Sequence, residues 1–527
     1  MSDGASVLHN PIVAFMVGCP AGVFFWDYID MTDYKLSDES GVPLAYSRFT
    51  AAHHAAIEKE LVKISGRAEV TNLLLMDGAM RRAGKMFMEL CPSANFAVCF
   101  PHSIDKICHD LNSLAWMEEI ITKTRKISNF IYAHEVSLAL FRDQCGKLPT
   151  DSKNLKRPAG TRFAGEFYAM DSQQAHMQHL EQAVVTAKWA SWSAAQTYRE
   201  EADEVRALIL DRRFHRQQAA VIKVMKPILY ALRLGDGDSC SMGFVYPVMA
   251  NLKDEIDAIV DTFEDADFPR KATRSAAINS IITSRWQYLH CPYHSAAYAL
   301  NPCYLEEDLD DMDPEVREGL NEVVQRFYHD DPDKAAAALD EFEAYKEPGG
   351  PIRGNNFKLA AAKRLGRAAD AYNYTDIKPW NFWKTHCAGL PLIRAVGITV
   401  LSKQAGIGAN ERAHKETKQV LTKARNRLET QRAARSVYIR HNRRLLDKLA
   451  VEMYTMDYDE PEDITTLTLE PEEVTATLEA LALQGDPREQ DGIDEPDESR
   501  TESAAPSRDD CLLDLGSLSG SDSDDSG

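Results

Sequence analysis

The sequence lacks an apolar run long enough to cross a bilayer, which takes roughly 20 consecutive residues in a helix. Its most apolar early stretch, residues 15–26, is interrupted by glycine and proline. The start, Met1-Ser-Asp-Gly4, has no basic cluster of the kind that opens a secretory signal peptide. We therefore expect a soluble, intracellular protein with no membrane partner.

The sequence also lacks paired cysteines. Its ten cysteines are scattered, and no Cys-x-x-Cys occurs. Disulfide frameworks are typical of short secreted domains, whereas this chain has 527 residues. The cysteine pattern therefore indicates a reducing compartment in which the thiols are free or bound to metal.

Negative charge is abundant, but it is concentrated at one end. The formal net charge is −21, and the segment from Asp457 to Gly527 holds 23 Asp and Glu residues against 3 Arg. The rest of the chain is close to neutral, so the acidic balance does not argue against a nucleic-acid partner. Because the tail has few aromatic residues, it cannot bury enough apolar surface to fold alone, and we predict disorder for residues 451–527.

The first part of the chain, residues 1–115, alternates strand and helix patterns. Apolar runs at residues 11–18 and 23–29 flank the turn residues Cys-Pro-Ala-Gly and predict a β-hairpin. Strands in series with an intervening helix indicate an α/β sheet. The further predicted elements are a helix at 50–64, a strand at 70–76, a helix from about 79 and a strand at 96–99.

The following residues, 116–375, carry apolar side chains at helical spacing and almost no strand pattern, so they predict a large helical insertion. Residues 376–450 are also mostly helical, and they are rich in Lys and Arg from Glu411 onward. The predicted fold class is α/β: a mixed sheet interrupted by a large all-α insertion, followed by C-terminal helices and the disordered acidic tail.

Short motifs occur in a fixed order from residue 1 to about residue 446. Each motif is weak alone, but the collinear set resembles the motifs of hAT-family DNA transposases of the plant-type lineage. The segments that carry the resemblance are Met1-Ser-Asp-Gly4, Leu75-Met-Asp-Gly-Ala79, Cys99-Phe-Pro-His-Ser-Ile-Asp105, Leu234-Gly-Asp-Gly-Asp238, Met242-Gly-Phe-Val-Tyr246, Leu289-His-Cys-Pro-Tyr-His294, Trp380-Asn-Phe-Trp383, Val400-Leu-Ser402, Asn410-Glu-Arg412 and Arg425-Asn-Arg-Leu428.

The resemblance implies an RNase H-like core that begins in residues 1–115 and is completed by a dimerisation region at residues 376–450. It also implies an active site of three acids, Asp3, Asp77 and Glu411. In this chemistry two divalent ions activate the attacking oxygen and stabilise the leaving oxygen. Carboxylates are the ligands that Mg²⁺ and Mn²⁺ prefer, so these acids are the expected metal ligands.

Each acid also has a purely structural interpretation. Asp77 follows an apolar strand and suits a helix N-cap, where Asp is favoured. Asp3 suits a frayed terminal residue. Glu411 suits a solvated helix residue that pairs with Lys415 one turn later. The spacing of residues alone does not decide between these roles and metal binding.

The neighbours of the acids depart from the family pattern. Ala5 stands where the family has Trp, and Gly78 stands where it has Asn. Gly406-Ile407 replaces a Ser pair, and His414 replaces an aromatic residue. The family's first strand begins before the residue that matches Asp3, and we expect that strand to be nearly absent. We also expect no zinc finger before the core, which places specific recognition of transposon ends in doubt.

Two Cys/His pairs suggest a possible structural zinc site. Cys99 and His102 have the spacing of a ligand pair, and His290 and His294 would share one helix face if they lay on one helix. This donor set is adequate for tetrahedral zinc, with Cys291 as a substitute ligand. Ordinary packing of Cys and His in a core is the competing interpretation.

The basic C-terminal stretch suggests contact with DNA phosphates. A solvated helix face is the competing interpretation. The resemblance implies dimer contacts in this region, and residues 390–401 together with 437–439 form either a protomer interface or an intramolecular core. The candidate DNA-binding residues are Lys418, Lys423, Arg425, Arg427 and Arg432.

Two functions remain open from the sequence. The retained acids favour a nuclear transposase that cuts and joins DNA as a homodimer or higher homo-oligomer, with no small-molecule substrate. The altered neighbours favour a catalytically inactive, domesticated or decayed derivative that binds DNA or protein through the same fold.

Overall fold

The computed structural model divides the chain into two units, Met1–Tyr458 and Asp459–Gly527, and the second unit lies outside the residues that the structure describes. The described residues are 1–7, 10–19, 22–30, 72–75, 84–85, 87–89, 91–148, 150, 152–157, 165–237, 239–264, 266–307, 312–370, 377–422, 428 and 430–455.

A five-stranded mixed sheet forms in the first unit, with strand order β3-β2-β1-β4-β5. β1 pairs antiparallel with β2, and β2 pairs antiparallel with β3. β4 runs parallel to both β1 and β5. The strands are β1 (Ser2–Val7), β2 (Asn10–Cys19), β3 (Gly22–Asp30), β4 (Asn72–Leu75) and β5 (Asn95–Val98).

These strands confirm the predicted hairpin and the two predicted short strands. The expectation of a nearly absent first strand was wrong, because β1 pairs with β2 along its whole length, from Ser2 opposite Phe15 to Val7 opposite Asn10. The helix predicted at residues 50–64 lies outside the described residues. Of the helix predicted from about residue 79, residues 84–85 and 87–89 are described, and they are helical.

Alternation along the strands places the sheet between two layers. Val13 and Phe15 of β2 pack into one core cluster with the helices that follow β5. Ile12, Ala14 and Met16 point into a different cluster on the opposite face. A two-residue period of this kind is what a sheet covered on both faces requires.

Helices make up most of the remaining unit, as the sequence predicted for the insertion. α1 (Phe100–Asn112) precedes the predicted insertion. The helices from the start of the insertion onward are α2 (Ala115–Ala133), α3 (Glu135–Cys145), α4 (Gly165–Ala175), α5 (Met177–Val184), α6 (Ala187–Ala194), α7 (Arg199–Leu210), α8 (Arg212–Asp236), α9 (Val245–Val260), α10 (Lys271–Leu289), α11 (Pro292–Ala299), α12 (Pro314–Phe327), α13 (Pro332–Lys346) and α14 (Asn356–Asp370). Those after it are α15 (Pro379–His386), α16 (Pro391–Leu401), α17 (Gly408–Val420) and α18 (Thr430–Thr455).

The chain returns to the sheet through its last two helices. α17 contacts β1, β2 and β3, and α18 contacts β3 and α17. The side-chain amide of Asn442 in α18 forms two hydrogen bonds with the backbone of Phe25. Its Oδ1 accepts from the Phe25 N–H at 2.9 Å, and its Nδ2 donates to the Phe25 carbonyl at 3.0 Å. Across the described helices, none is both long and apolar enough to span a membrane.

Candidate active site at the edge of the sheet

The segment between α16 and α17 is hydrogen-bonded to the end of β5 and the start of α1. The N–H of Phe100 donates to the carbonyl of Ala405 at 2.9 Å. The N–H of Ile407 donates to the Cys99 Sγ at 3.4 Å. Both contacts join residues that are about three hundred positions apart, so they fix where α17 begins relative to the sheet.

The segment that follows α8 also forms hydrogen bonds with the connection between α16 and α17. The Ser241 Oγ accepts from the N–H of Ala405 at 3.1 Å, and the N–H of Met242 donates to the carbonyl of Lys403 at 3.1 Å. Gly406 is required here, since a Cβ at this position would stand 2.0 Å from the Gly235 carbonyl oxygen. The small residue that departs from the family pattern therefore serves close backbone packing.

Glu411 lies in the first turn of α17, and its neighbour Asn410 anchors that turn to the sheet. The Asn410 Nδ2 donates to the carbonyl of Ala14 at 2.9 Å in a buried contact. Ala14 is the register partner of Asp3 in the β1–β2 pairing. The backbone of Glu411 therefore starts beside the strand position that holds Asp3, although the two residues lie at opposite ends of the sequence.

The remaining predicted acid, Asp77, lies outside the described residues. It follows β4 by two positions in sequence, and Leu75 at the end of β4 pairs in parallel with Ser2 at the start of β1. Asp3 itself is placed on β1, but its side chain is not among those described. The structure thus describes the backbone and side chain of Glu411 and only the backbone of Asp3. Asp77 is known only by its place in the sequence.

His102 lies beside Glu411. Its Nε2 lies 3.8 Å from the Glu411 Oε1, and the two side chains are 21 % and 31 % exposed. The Nδ1 of the same ring lies 3.2 Å from the Cys99 Sγ. Sequence reasoning placed Cys99 and His102 in a zinc site and did not connect them to Glu411, because nothing local links two motifs so far apart.

The other two zinc candidates lie at a helix junction. His290 caps the C-terminus of α10, and His294 is in the first turn of α11. The two histidines therefore do not lie on one helix, and the condition for a shared helix face is not met. The chain changes direction between them, because Pro292 starts a new helix and lacks the N–H that would continue the old one.

Hydrogen bonds already occupy the His290 ring. Its Nε2 lies 2.8 Å from the Ser295 Oγ, and its Nδ1 lies 2.7 Å from the Glu315 Oε1. Burial lowers the pKa of His290 to about 4, so the ring is neutral. The tautomer that satisfies both contacts has the Nδ1–H donating to Glu315 and the Nε2 accepting from Ser295.

Among the side chains that the structure describes, no group of three or more His, Cys, Asp or Glu residues is arranged to hold a metal ion. The carboxylates of Asp3 and Asp77 are not among these side chains. The Mg²⁺ or Mn²⁺ site and the zinc site therefore stay predictions. For zinc, the donor set fits poorly at His290, because both of its ring nitrogens are hydrogen-bonded within the protein.

The candidate DNA-binding residues fall on two helices and the segment between them. Lys418 is exposed on α17, and Arg432 is exposed on α18. Lys423, Arg425 and Arg427 lie outside the described residues. α18 buries Ala433 and Val437 against the sheet and exposes its basic side chains on the other face.

Residues 390–401 and 437–439, which were predicted to form either a protomer interface or an intramolecular core, include both buried and exposed side chains. Ile393, Val396 and Val400 of α16 are fully buried within the chain, so the intramolecular interpretation is correct for them. Val437 is also buried, whereas Ile439 on the opposite side of α18 is 40 % exposed. The apolar character of α16 therefore reflects the core of this protomer.

Comparison with known families gives one match. Residues 359–442 match the hAT family C-terminal dimerisation region, which here spans most of α14, all of α15 to α17 and the first half of α18. A search of curated proteins gives no match. The chain therefore carries a dimerisation region together with a mixed sheet and a helical insertion. Over residues 359–442 the chain is therefore similar to hAT-family proteins.

Proposed function

We propose that this chain is a hAT transposase-derived protein that acts on DNA as a homodimer in the nucleus. The observation that carries the proposal is the match of residues 359–442 to the hAT dimerisation region. The mixed sheet supports an RNase H-like core, because a helical insertion separates its strands from α17. The collinear motifs extend the resemblance beyond the matched region.

The proposed reaction centre comprises Asp3, Asp77 and Glu411, which would hold Mg²⁺ or Mn²⁺. These ions supply activation of the attacking oxygen and stabilisation of the leaving oxygen in phosphodiester chemistry. Glu411 fits this role because it is partly exposed in a first helical turn, where backbone N–H groups favour negative charge. Three carboxylates from distant parts of the chain are also the donor chemistry that these ions need.

The altered neighbours Ala5 and Gly78 support the second function, an inactive derivative that only binds. His102, whose Nε2 lies 3.8 Å from the Glu411 Oε1, belongs to a motif that resembles the family's, so it does not distinguish the two functions. The retained carboxylates favour the enzyme.

A nicking and strand-transfer assay on supercoiled plasmid, with Mg²⁺ or Mn²⁺, decides between the two. For an active enzyme we expect Asp77→Asn and Glu411→Gln each to lower the rate by roughly 10²-fold or more, as loss of a transition-state stabiliser does. Asp447→Asn is the matched control, since Asp447 is an exposed acid on α18 that is not among the proposed site residues.

The other outcomes are equally informative. A wild-type protein that binds DNA without nicking it in either metal is the inactive derivative. A protein that is monomeric by light scattering and binds no DNA would contradict the proposed function altogether. Metal analysis of the purified protein tests zinc separately, and a preparation without zinc would exclude the Cys99, His102, His290 and His294 site.

A further inference from the structure

α8 carries a basic stripe on its exposed face. The helix runs for 25 residues and buries an apolar face that includes Phe214, Val221 and Ile228. The exposed side chains on the opposite face recur at helical spacing, which places them in one line. This α8 stripe comprises Arg212, Arg216, Lys223, Lys226, Tyr230 and Arg233.

The charge of the stripe is not balanced along its length. At its start, the Arg212 Nη1 lies 3.0 Å from the Glu181 Oε1, and the Arg216 Nε lies 2.9 Å from the Asp267 Oδ2. No Asp or Glu occurs in α8 before its last residue, Asp236. The surplus of positive charge therefore rises toward the C-terminal half of the helix.

Three cations make up that surplus. Lys223, Lys226 and Arg233 are exposed, and none of them forms an ion pair with a residue in the described part of the chain. They span about 15 Å of helix at 1.5 Å per residue. Tyr230 lies between them with 44 % of its surface exposed, which adds a phenolic hydroxyl to the same line.

The stripe leads to the candidate active site. α8 ends at Asp236, and the Gly235 carbonyl packs against Gly406 in the segment that carries α17 to the sheet. The Arg412 Nη1 lies 3.5 Å from the Asp236 carbonyl, and Arg412 follows Glu411 directly. The C-terminal end of α8, three residues beyond Arg233, therefore lies next to the segment that carries the residue proposed for catalysis.

We propose that the α8 stripe binds the phosphate backbone of duplex DNA and guides it toward Glu411. Duplex DNA is a polyanion with one charge per about 1.7 Å of axis, so a row of cations along one helix face, three of them without an ion pair in the described part of the chain, is complementary to it. Lysine binds phosphate as a point charge, and tyrosine hydroxyls also contact phosphate oxygens. The inference rests on the proposed function, which supplies DNA as the partner.

Salt-dependent binding tests this surface. The variant Lys223→Ala/Lys226→Ala/Arg233→Ala and the wild-type full-length protein are titrated onto a labelled 30-base-pair duplex of random sequence at several NaCl concentrations. Each lost phosphate contact lowers the slope of log affinity against log salt by about 0.9. We expect the slope to fall by between about 1 and 3, and affinity at low salt to fall by roughly tenfold or more.

The matched control removes the same charge elsewhere. Lys188→Ala/Lys253→Ala/Lys384→Ala replaces three exposed lysines on α6, α9 and α15. It changes the net charge by the same amount without touching the α8 stripe. Circular dichroism and thermal melts establish that both triple variants are folded, since all six side chains point into solvent. We expect the control to bind with nearly the wild-type slope.

The possible results separate the stripe from the function. If wild type and control bind DNA and the stripe variant binds with unchanged affinity and slope, the stripe proposal is wrong and the proposed function stands. If wild type binds no duplex at low salt, the proposed function fails and the stripe proposal fails with it. Stripe-dependent binding to phosphatidylserine vesicles without binding to DNA would assign this face to a membrane surface and overturn the proposal.

Discussion

Two helices of this protein start with the same Cys-x-x-His pattern, and the two pairs have different surroundings. Cys99 and Cys291 each occupy the N-cap of a helix, and each His is the third residue of that helix. The Sγ–Nδ1 distances are 3.2 Å for Cys99–His102 and 3.4 Å for Cys291–His294. The Cys–His contact is therefore similar at α1 and α11, whereas the N-cap backbone differs, with φ of −60° at Cys99 and −149° at Cys291, and only α11 has a capping box.

His102 and His294 differ in which residues from distant parts of the chain pack against them. α17 brings Glu411 to His102, whose side chain remains 21 % exposed. His294 is 1 % exposed, with Trp286 and His290 next to it. Packing of a remote helix therefore places His102, and not His294, at the candidate active site. At α11 the capping box formed by Cys291 and His294 accounts for the Cys-x-x-His spacing.

Alanine substitutions should give the largest difference between His102 and His294, measured as loss of free energy of unfolding. We expect His294→Ala to lower the free energy of unfolding by about 2–4 kcal/mol, because it opens a cavity and removes the capping contact with Cys291. His102→Ala should cost less than about 1 kcal/mol, since the ring is partly in water and leaves no closed void.

Urea unfolding followed by circular dichroism measures both values, and the nicking assay adds the readout that stability does not provide. His102→Ala should change the rate or metal dependence of nicking in an active protein while leaving the fold intact. Equal destabilisation by the two substitutions would show that His102 is as structural as His294, and the comparison would then fail.

The pH dependence of the free energy of unfolding should come largely from His294, in the buried Cys291–His294 pair. Burial lowers the pKa of His294 to about 3, below the value of about 6.5 that an unfolded chain has. The unfolded state therefore binds more protons between these two values, so stability is full above about pH 6.5 and decreases as the pH falls toward 3. From pH 6.5 to pH 5 this histidine accounts for a loss of up to about 2 kcal/mol.

His294→Gln removes this titration and can keep a polar contact at the helix start. Thermal melts between pH 5 and pH 7 should show a shallower decline for the variant than for wild type. His290, whose pKa is also lowered by burial, leaves a residual slope in both proteins. Parallel declines in wild type and variant would mean that His294 is not the group responsible.

The sequence predicted the elements that local periodicity determines. Both strands of the β2–β3 hairpin and the two short strands were predicted, because continuous apolar runs bounded by turn residues specify them. β1 was not predicted from its own residues, since Ser-Asp-Gly-Ala-Ser has low strand propensity and forms a strand through pairing on both sides. Its strand character is a property of the sheet.

The sequence proposed the candidate site as a set of residue types and not as an arrangement, and the catalytic role of Glu411 stays a prediction. The contact of Glu411 with His102 depends on hydrogen bonds between segments that are far apart in sequence. The α8 stripe shows the opposite case. Its spacing is readable in the sequence, but its exposure and its direction toward Gly406 become visible only when the buried face of α8 is known.

The smallest expected effect concerns the two cysteines. Serine is a preferred N-cap residue, and at position 291 its hydroxyl can replace the thiol in the contact with His294. We expect Cys291→Ser to change the free energy of unfolding by less than about 0.5 kcal/mol.

Cys99 differs, because its Sγ is buried and also accepts from the N–H of Ile407, which positions α17. Cys99→Ser should therefore cost about 1 kcal/mol, from burying a more polar group and shifting that contact. Paired unfolding measurements on the two serine variants test this, and a larger loss at Cys291 would show that the α11 start depends on its thiol more than the start of α1 does.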